Sequence, residues 1–329
     1  MYELRLPAEL QEIADKGRVD AKDVLNLRRH IFADGIVSPH DANALFWLNE
    51  SCPEGGKEWH DFFVEALTDH MVEQQNPRGY LDDGNVDFLA RRVLHDGHVN
   101  SATELELMVN IIEKAAFVPE RLRLMVLEEV KRAVLEGEGL LRGGKRLTEG
   151  AIVAAEVQLL KRVIYGLASD DNVYISRVEA ELLFDLNDAI VGSESHTEWK
   201  RLFVCAIANH VMSARIWEAP SSEVASTRED FLEDRDGVIG FLGRVAASRL
   251  SDTLTALKSS ADNAAARQRE VAARLAGAEI ISHSEAEWLN QRIGRDGVMH
   301  DNEKALLKFL KEESPVIHPS LKVLVASAA

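Results

Sequence analysis

The chain has 329 residues, enough for about two domains, of which 46% are hydrophobic, 28% charged and only 6% aromatic. A formal charge of −17 repels nucleic acid and anionic membranes at long range, so no nucleic-acid partner is expected, while a basic protein surface or a cation is. No apolar run approaches the ~20 residues of a membrane span, the first residues lack a basic region followed by an apolar core, and two cysteines exclude a disulfide framework; the expectation is a cytoplasmic protein not integral to a membrane.

Taken in chain order, Asp20 and Asp23 open a helix whose apolar residues Val24, Leu25, Leu27 and Ile31 recur at helical spacing. It stops at Asp34-Gly35-Ile36-Val37-Ser38, where glycine can take the left-handed conformation that ends a helix. The apolar residue before the next N-cap can then pack back as a staple, and Ser38 with Asp41 forms a capping box. The helix that follows carries Phe46, Leu48 and Asn49, and a longer one over 57–72 carries Trp59, Phe63, Val64, Ala66 and His70. A second turn, Asp96-Gly97-His98-Val99-Asn100, has Thr103 where the acid should stand. Gly137, Gly139, Gly143 and Gly144 mark a linker over 137–146; Arg142-Gly143-Gly144-Lys145 within it lacks the strand and helix of a phosphate cradle.

Beyond the linker the same order returns. Val157, Leu159, Leu160 and Val163 form an apolar stripe before Asn172-Val173-Tyr174-Ile175-Ser176, a degenerate turn with Ser176 and Glu179 as its box. Glu198-Trp199, Phe203-Val204, Ala206 and His210 repeat Glu58-Trp59, Phe63-Val64, Ala66 and His70 at identical spacing. Leu289, Arg292 and Asp296-Gly297 then repeat Leu89, Arg92 and Asp96-Gly97 at a wider offset, which places a helical insertion at about 213–276. Ser282 with Glu285 is a further box. The expectation is an all-α chain made by tandem duplication of a helix–turn–helix unit, with domains over 1–136 and 147–329.

The acidic turns invite comparison with a calcium loop. That loop needs oxygen ligands ahead of its glycine, and His30 and Phe32 stand in those places for the first turn. A site built across elements, with Asp34 and Asp41 or with Asp296, Asp301 and Glu303, would hold calcium or magnesium; the leading reading of the same acids is as helix caps. Helix–Ala33-Asp34-Gly35-Ile36-Val37-Ser38-x-x-Asp41–helix resembles the signature of the TerB-like, tellurite-resistance-associated domains. That resemblance implies an all-helical module with metal-binding acids, carried here by Asp34, Asp41, Asp296 and Glu303, and less closely by Asn172 and Glu179. The whole chain is also similar to a group of duplicated alphaproteobacterial proteins, which brings no activity with it.

Among other residues, His70 and His210 share a helix face with Trp59 and Trp199 and fit either a structural histidine or a ligand pair. His95 and His98 lack a third ligand, and Asn49 and Asn187 fit helix C-caps. No nucleophile elbow, nucleotide fingerprint or paired acid–base motif occurs. The expected function is a non-catalytic interaction or regulatory protein with a protein partner, which the resemblance ties to stress response; the alternative is a divalent-cation sensor using the acidic turns.

Overall fold

The computed structural model describes residues 8–31, 36–53, 55–95, 97–99, 101–142, 149–165, 175–190, 195–212, 281–295, 297–313 and 318–327. Asp34, Asp96, Asn172, Asp296 and the 213–276 insertion lie outside the described residues. The described chain is all-α, with a single two-stranded ribbon, and divides into two compact units, Met1–Asp171 and Asn172–Ala329.

In the first unit α1 (Ala8–Lys16), α2 (Ala21–Ile31), α3 (Pro39–Ser51), α4 (Lys57–Thr68) and α5 (Asp83–Val93) precede the ribbon β1 (Leu94–His95) and β2 (His98–Val99). Then come α6 (Ala102–Lys114), α7 (Glu120–Glu136) and α8 (Ala154–Tyr165). Helix α4 lies against α2, α3 and α6, and α6 against α7 and α8. The starts are local chemistry. Asp20 and Asp23 exchange backbone-to-carboxylate bonds, Ser38 and Asp41 form a full capping box, and Asp82 and Asn85 form another. Each N-cap is worth about 1 kcal/mol. Helix α4 does not stop at Thr68 but loosens into a π-turn over Asp69–Glu73. Val24 and Leu27 are buried, whereas Leu25 is 57% exposed, so the apolar face of α2 is narrower than its composition.

The second turn departs from the expected pattern. Leu94 pairs with Val99 and His95 with His98 in antiparallel register, with Gly97 at φ 85° in the left-handed region that a side chain resists. The helix after it starts one residue later than the other copies, at N-cap Ser101, whose hydroxyl accepts from the Glu104 amide. Glu104, not Thr103, is therefore the acid of this copy.

The glycine-rich stretch is also more than a linker. Gly137 ends α7 at φ 73°, and a 3-10 turn over Leu140–Arg142 follows. The Arg142 guanidinium meets the Glu156 carboxylate at 2.7 Å with both side chains fully buried, and it also donates to the Ala151 carbonyl. A buried pair loses several kcal/mol when one partner is removed, so α8 is held to α7. Arg162 on α8 forks onto Glu106 and Glu113 of α6 at 2.7–2.8 Å, which raises its pKa further above the usual arginine value. The units accordingly divide between Asp171 and Asn172, beyond α8 rather than within 137–146.

In the second unit α9 (Arg177–Ala189), α10 (Glu198–Met212), α11 (His283–Arg292), α12 (Asp301–Glu313) and α13 (Lys322–Ser327) are described. Helix α10 packs on α9 and α12, and a 3-10 turn over Pro319–Leu321 packs on α11. Ser176 with Glu179 and Ser282 with Glu285 form full capping boxes. Arg292, with its side chain 6% exposed, reaches Glu181 and Asp185 and lies over the Phe184 ring at 5.1 Å.

Candidate functional site

The spacing shared by α4 and α10 builds the same aromatic frame in each unit. Phe63 meets Phe46 edge-on at 5.4 Å, and Phe203 meets Phe184 edge-on at 5.1 Å. Trp59 lies 5.7 Å from Phe63 and Trp199 lies 6.0 Å from Phe203. Such ring pairs add about 0.5–1.5 kcal/mol beyond their burial. The histidines are structural. His70 Nδ1 donates to the Val37 carbonyl at 2.6 Å and His210 Nδ1 to the Ile175 carbonyl at 2.8 Å. A carbonyl only accepts, so the proton sits on Nδ1 in both. Each bond ties the end of a long helix to the residue before an N-cap.

Above this frame the two units part. In the first, the Trp59 indole donates to Asn49 Oδ1 at 3.1 Å, and Asn49 Nδ2 donates to Glu104 Oε1 at 3.2 Å. Asn49 therefore links three helices instead of capping a C-terminus. His60 Nε2 donates to the Gly55 carbonyl at 3.1 Å, which leaves Nδ1 to accept the Thr103 hydroxyl at 2.5 Å. Gly55 is required there, because a Cβ would run into the Trp59 ring. Glu104 is 5% exposed; its burial pushes the carboxyl pKa up against the opposing bonds from Ser101 and Asn49.

In the second unit the same positions carry different groups. Ser195 stands for Gly55, Lys200 for His60, Asn302 for Thr103 and Glu303 for Glu104, by the shared spacing to the tryptophan and to the helix start. Glu303 turns away: its carboxylate accepts the Gly294 amide at 3.0 Å and the His300 amide at 2.7 Å. Asn187 Oδ1 accepts from Asn302 Nδ2 at 2.8 Å. Asn187 Nδ2 and the Trp199 indole N–H, each in a residue 1% exposed, make no hydrogen bond among the described residues. Leaving one buried donor unpaired costs about 1–3 kcal/mol.

Beside this pair opens a cleft of about 610 Å³, within the range of small-molecule sites. Its wall includes Asn187, Trp199, Lys200, Met299, Asn302 and Lys304, and it spans the first turns of α10 and α12. His196 at its edge accepts the Glu198 amide through Nδ1 at 3.3 Å. Sequence reasoning missed this cleft. One trace in the sequence is the exchange of His60 for Lys200 beside the repeated tryptophan.

Of the acids expected to hold a cation, Asp41, Asp301 and Glu303 are among the described residues. Asp41 Oδ2 accepts both the amide and the hydroxyl of Ser38, at 3.0 and 2.6 Å, and Glu303 holds the two amides just described. Asp34 and Asp296 lie outside the described residues. Among the described residues no group of three or more His, Cys, Asp or Glu side chains is arranged to hold a metal ion, and no helix is long and apolar enough to cross a membrane. No family model, curated protein or solved structure matches the chain.

Proposed function

We propose that the chain is a non-catalytic binding and regulatory protein, a tandem duplication of a TerB-like helical unit in which the second copy has become the ligand-binding one. One observation carries this: His60, Thr103 and Asn49 belong to a closed polar network in the first unit, whereas Lys200, Asn302 and Asn187 at the matching positions of the second line a cleft of about 610 Å³. A concave space of this size lined by several polar side chains favours a ligand over packing. The duplication is supported by the matched ring pairs and by the matched histidine-to-carbonyl bonds. The output is an encounter with a protein partner bearing a basic surface, which the charge of −17 favours.

A cation sensor has less support, because Asp41 and Glu303 already hold helix-start groups. The test is the melting temperature of the full chain with the dialysable fraction of a cell extract, and with calcium and magnesium alone. A ligand that binds only the folded state raises that temperature. A rise from the organic fraction that survives chelation supports the proposal. A rise from either ion alone supports the sensor, and no rise from any addition overturns the proposal.

A further inference from the structure

We infer that the outer face of α7 is a self-pairing surface, on which a second molecule of this protein lays its own α7 antiparallel across a two-fold axis. The inference is independent of the ligand cleft in the second unit. Helix α7 buries Leu122, Val126, Leu127, Val130, Ala133 and Val134 against the core, and a helix of that kind is expected to be polar on its opposite side. Instead Arg121, Leu124, Glu128, Lys131 and Leu135 follow one another there at intervals of three and four, the spacing of a seam between two helices. All five line a groove of about 490 Å³ between α7 and the ribbon. Leu135 is 49% exposed and Leu124 half-buried, so the first can stand as a knob over the second.

The order of these residues identifies the occupant. A two-fold interface brings residue i of one molecule to residue j of the other, and j to i. Antiparallel α7 helices related about the point between Glu129 and Val130 set Leu124 against Leu135 and Glu128 against Lys131. The same relation sets Arg121 against the acidic end of α7, at Glu136 and Glu138. Each of these contacts occurs twice, and none opposes like charges. A parallel arrangement would instead stack Arg121, Glu128 and Lys131 each on itself. Arg121 already meets Asp87 in its own molecule, so the two Glu128–Lys131 pairs carry the register. The net charge of −17 opposes approach at long range. That repulsion is screened beyond about 8 Å at physiological ionic strength, whereas the facing side chains meet at contact. One helix face about 25 Å long makes a small interface, at the weak and transient end of the range.

The test is sedimentation equilibrium of the full chain at physiological salt, as its concentration rises from the micromolar towards the millimolar range. The expected result is a reversible monomer–dimer equilibrium. Lys131→Glu and Glu128→Lys should each weaken it at least about tenfold, because each puts two like-charged pairs in place of two opposite ones. Both changes lie on the outer face, and both variants should melt with the parent. Mixed together, the two variants should pair with each other about as well as the parent does with itself, since the two acids of one then face the two lysines of the other. Lys308→Glu in the second unit makes the same change in net charge as Lys131→Glu and should leave the dimer intact. A chain that stays monomeric throughout overturns the proposal. A dimer that neither α7 variant weakens, or that Lys308→Glu weakens equally, overturns α7 as its surface. Variants that fail singly and do not pair in the mixture overturn the antiparallel register.

Discussion

The surroundings of Asn49 and of Asn187 have one scaffold and two chemistries. Tryptophan and two phenylalanines repeat with ring distances that agree within a few tenths of an ångström, and a histidine repeats with its bond to a carbonyl. Around them His60, Thr103 and Glu104 close a polar network in the first unit, while Lys200, Asn302 and Glu303 leave one open in the second. An apolar frame set by helical spacing tolerates exchange of the polar groups above it. Two or three substitutions then separate a closed polar cluster from one beside an open cleft.

The largest break in this comparison comes from the shared frame. Phe63→Ala and Phe203→Ala each remove a fully buried ring and should lower stability by about 3–5 kcal/mol, measured by denaturant unfolding. Similar losses would confirm that the frames are equivalent; a loss confined to one unit would show that only one carries the fold.

Gly55→Ala should cost about 1–3 kcal/mol, because the new methyl displaces the Trp59 ring. Ser195→Ala at the matching position removes a hydroxyl without adding bulk and should change stability far less. Equal effects would dissolve the distinction between the two sites. Removing caps is smaller again: Ser38→Ala and Ser176→Ala should each lose about 1 kcal/mol. If either proves neutral in thermal unfolding, its box is not stabilising the helix start.

The finest test is Glu104→Gln. Burial raises the pKa of this carboxyl in the folded state, so its contribution to stability is greatest below the unfolded pKa and is lost as pH rises through the folded one. Glutamine keeps the acceptor for Asn49 without the buried charge. The variant should melt higher than the parent at neutral pH, with the gain vanishing in mildly acidic buffer. Glu303→Gln, whose carboxylate takes two amides, should instead melt lower at neutral pH. The same sign for both would erase the contrast.

Much of this was legible in residue order. The boxes at Asp20, Ser38, Ser176 and Ser282 all formed where an N-cap stands three residues before an acid. The helix start after the second turn lies one residue later than expected, at Ser101, because Gly97 turns the chain between the two strands of a short ribbon. The glycine-rich stretch looked like a linker, since nothing local shows that Arg142 will find Glu156 across a turn. Asn49 and Asn187 looked like caps because their bonds run to Trp59, Glu104 and Asn302 on other helices.

Order along the chain thus determined where helices start, which faces are apolar and which blocks repeat. Those features depend on groups three or four residues apart, which the backbone brings together whatever the rest of the molecule does. Only the tertiary structure decided whether a buried asparagine meets a carboxylate, as Asn49 does, or a second asparagine, as Asn187 does. That choice depends on side chains from distant helices arriving at one point, and each donor or acceptor among them is indifferent to its own neighbours in sequence.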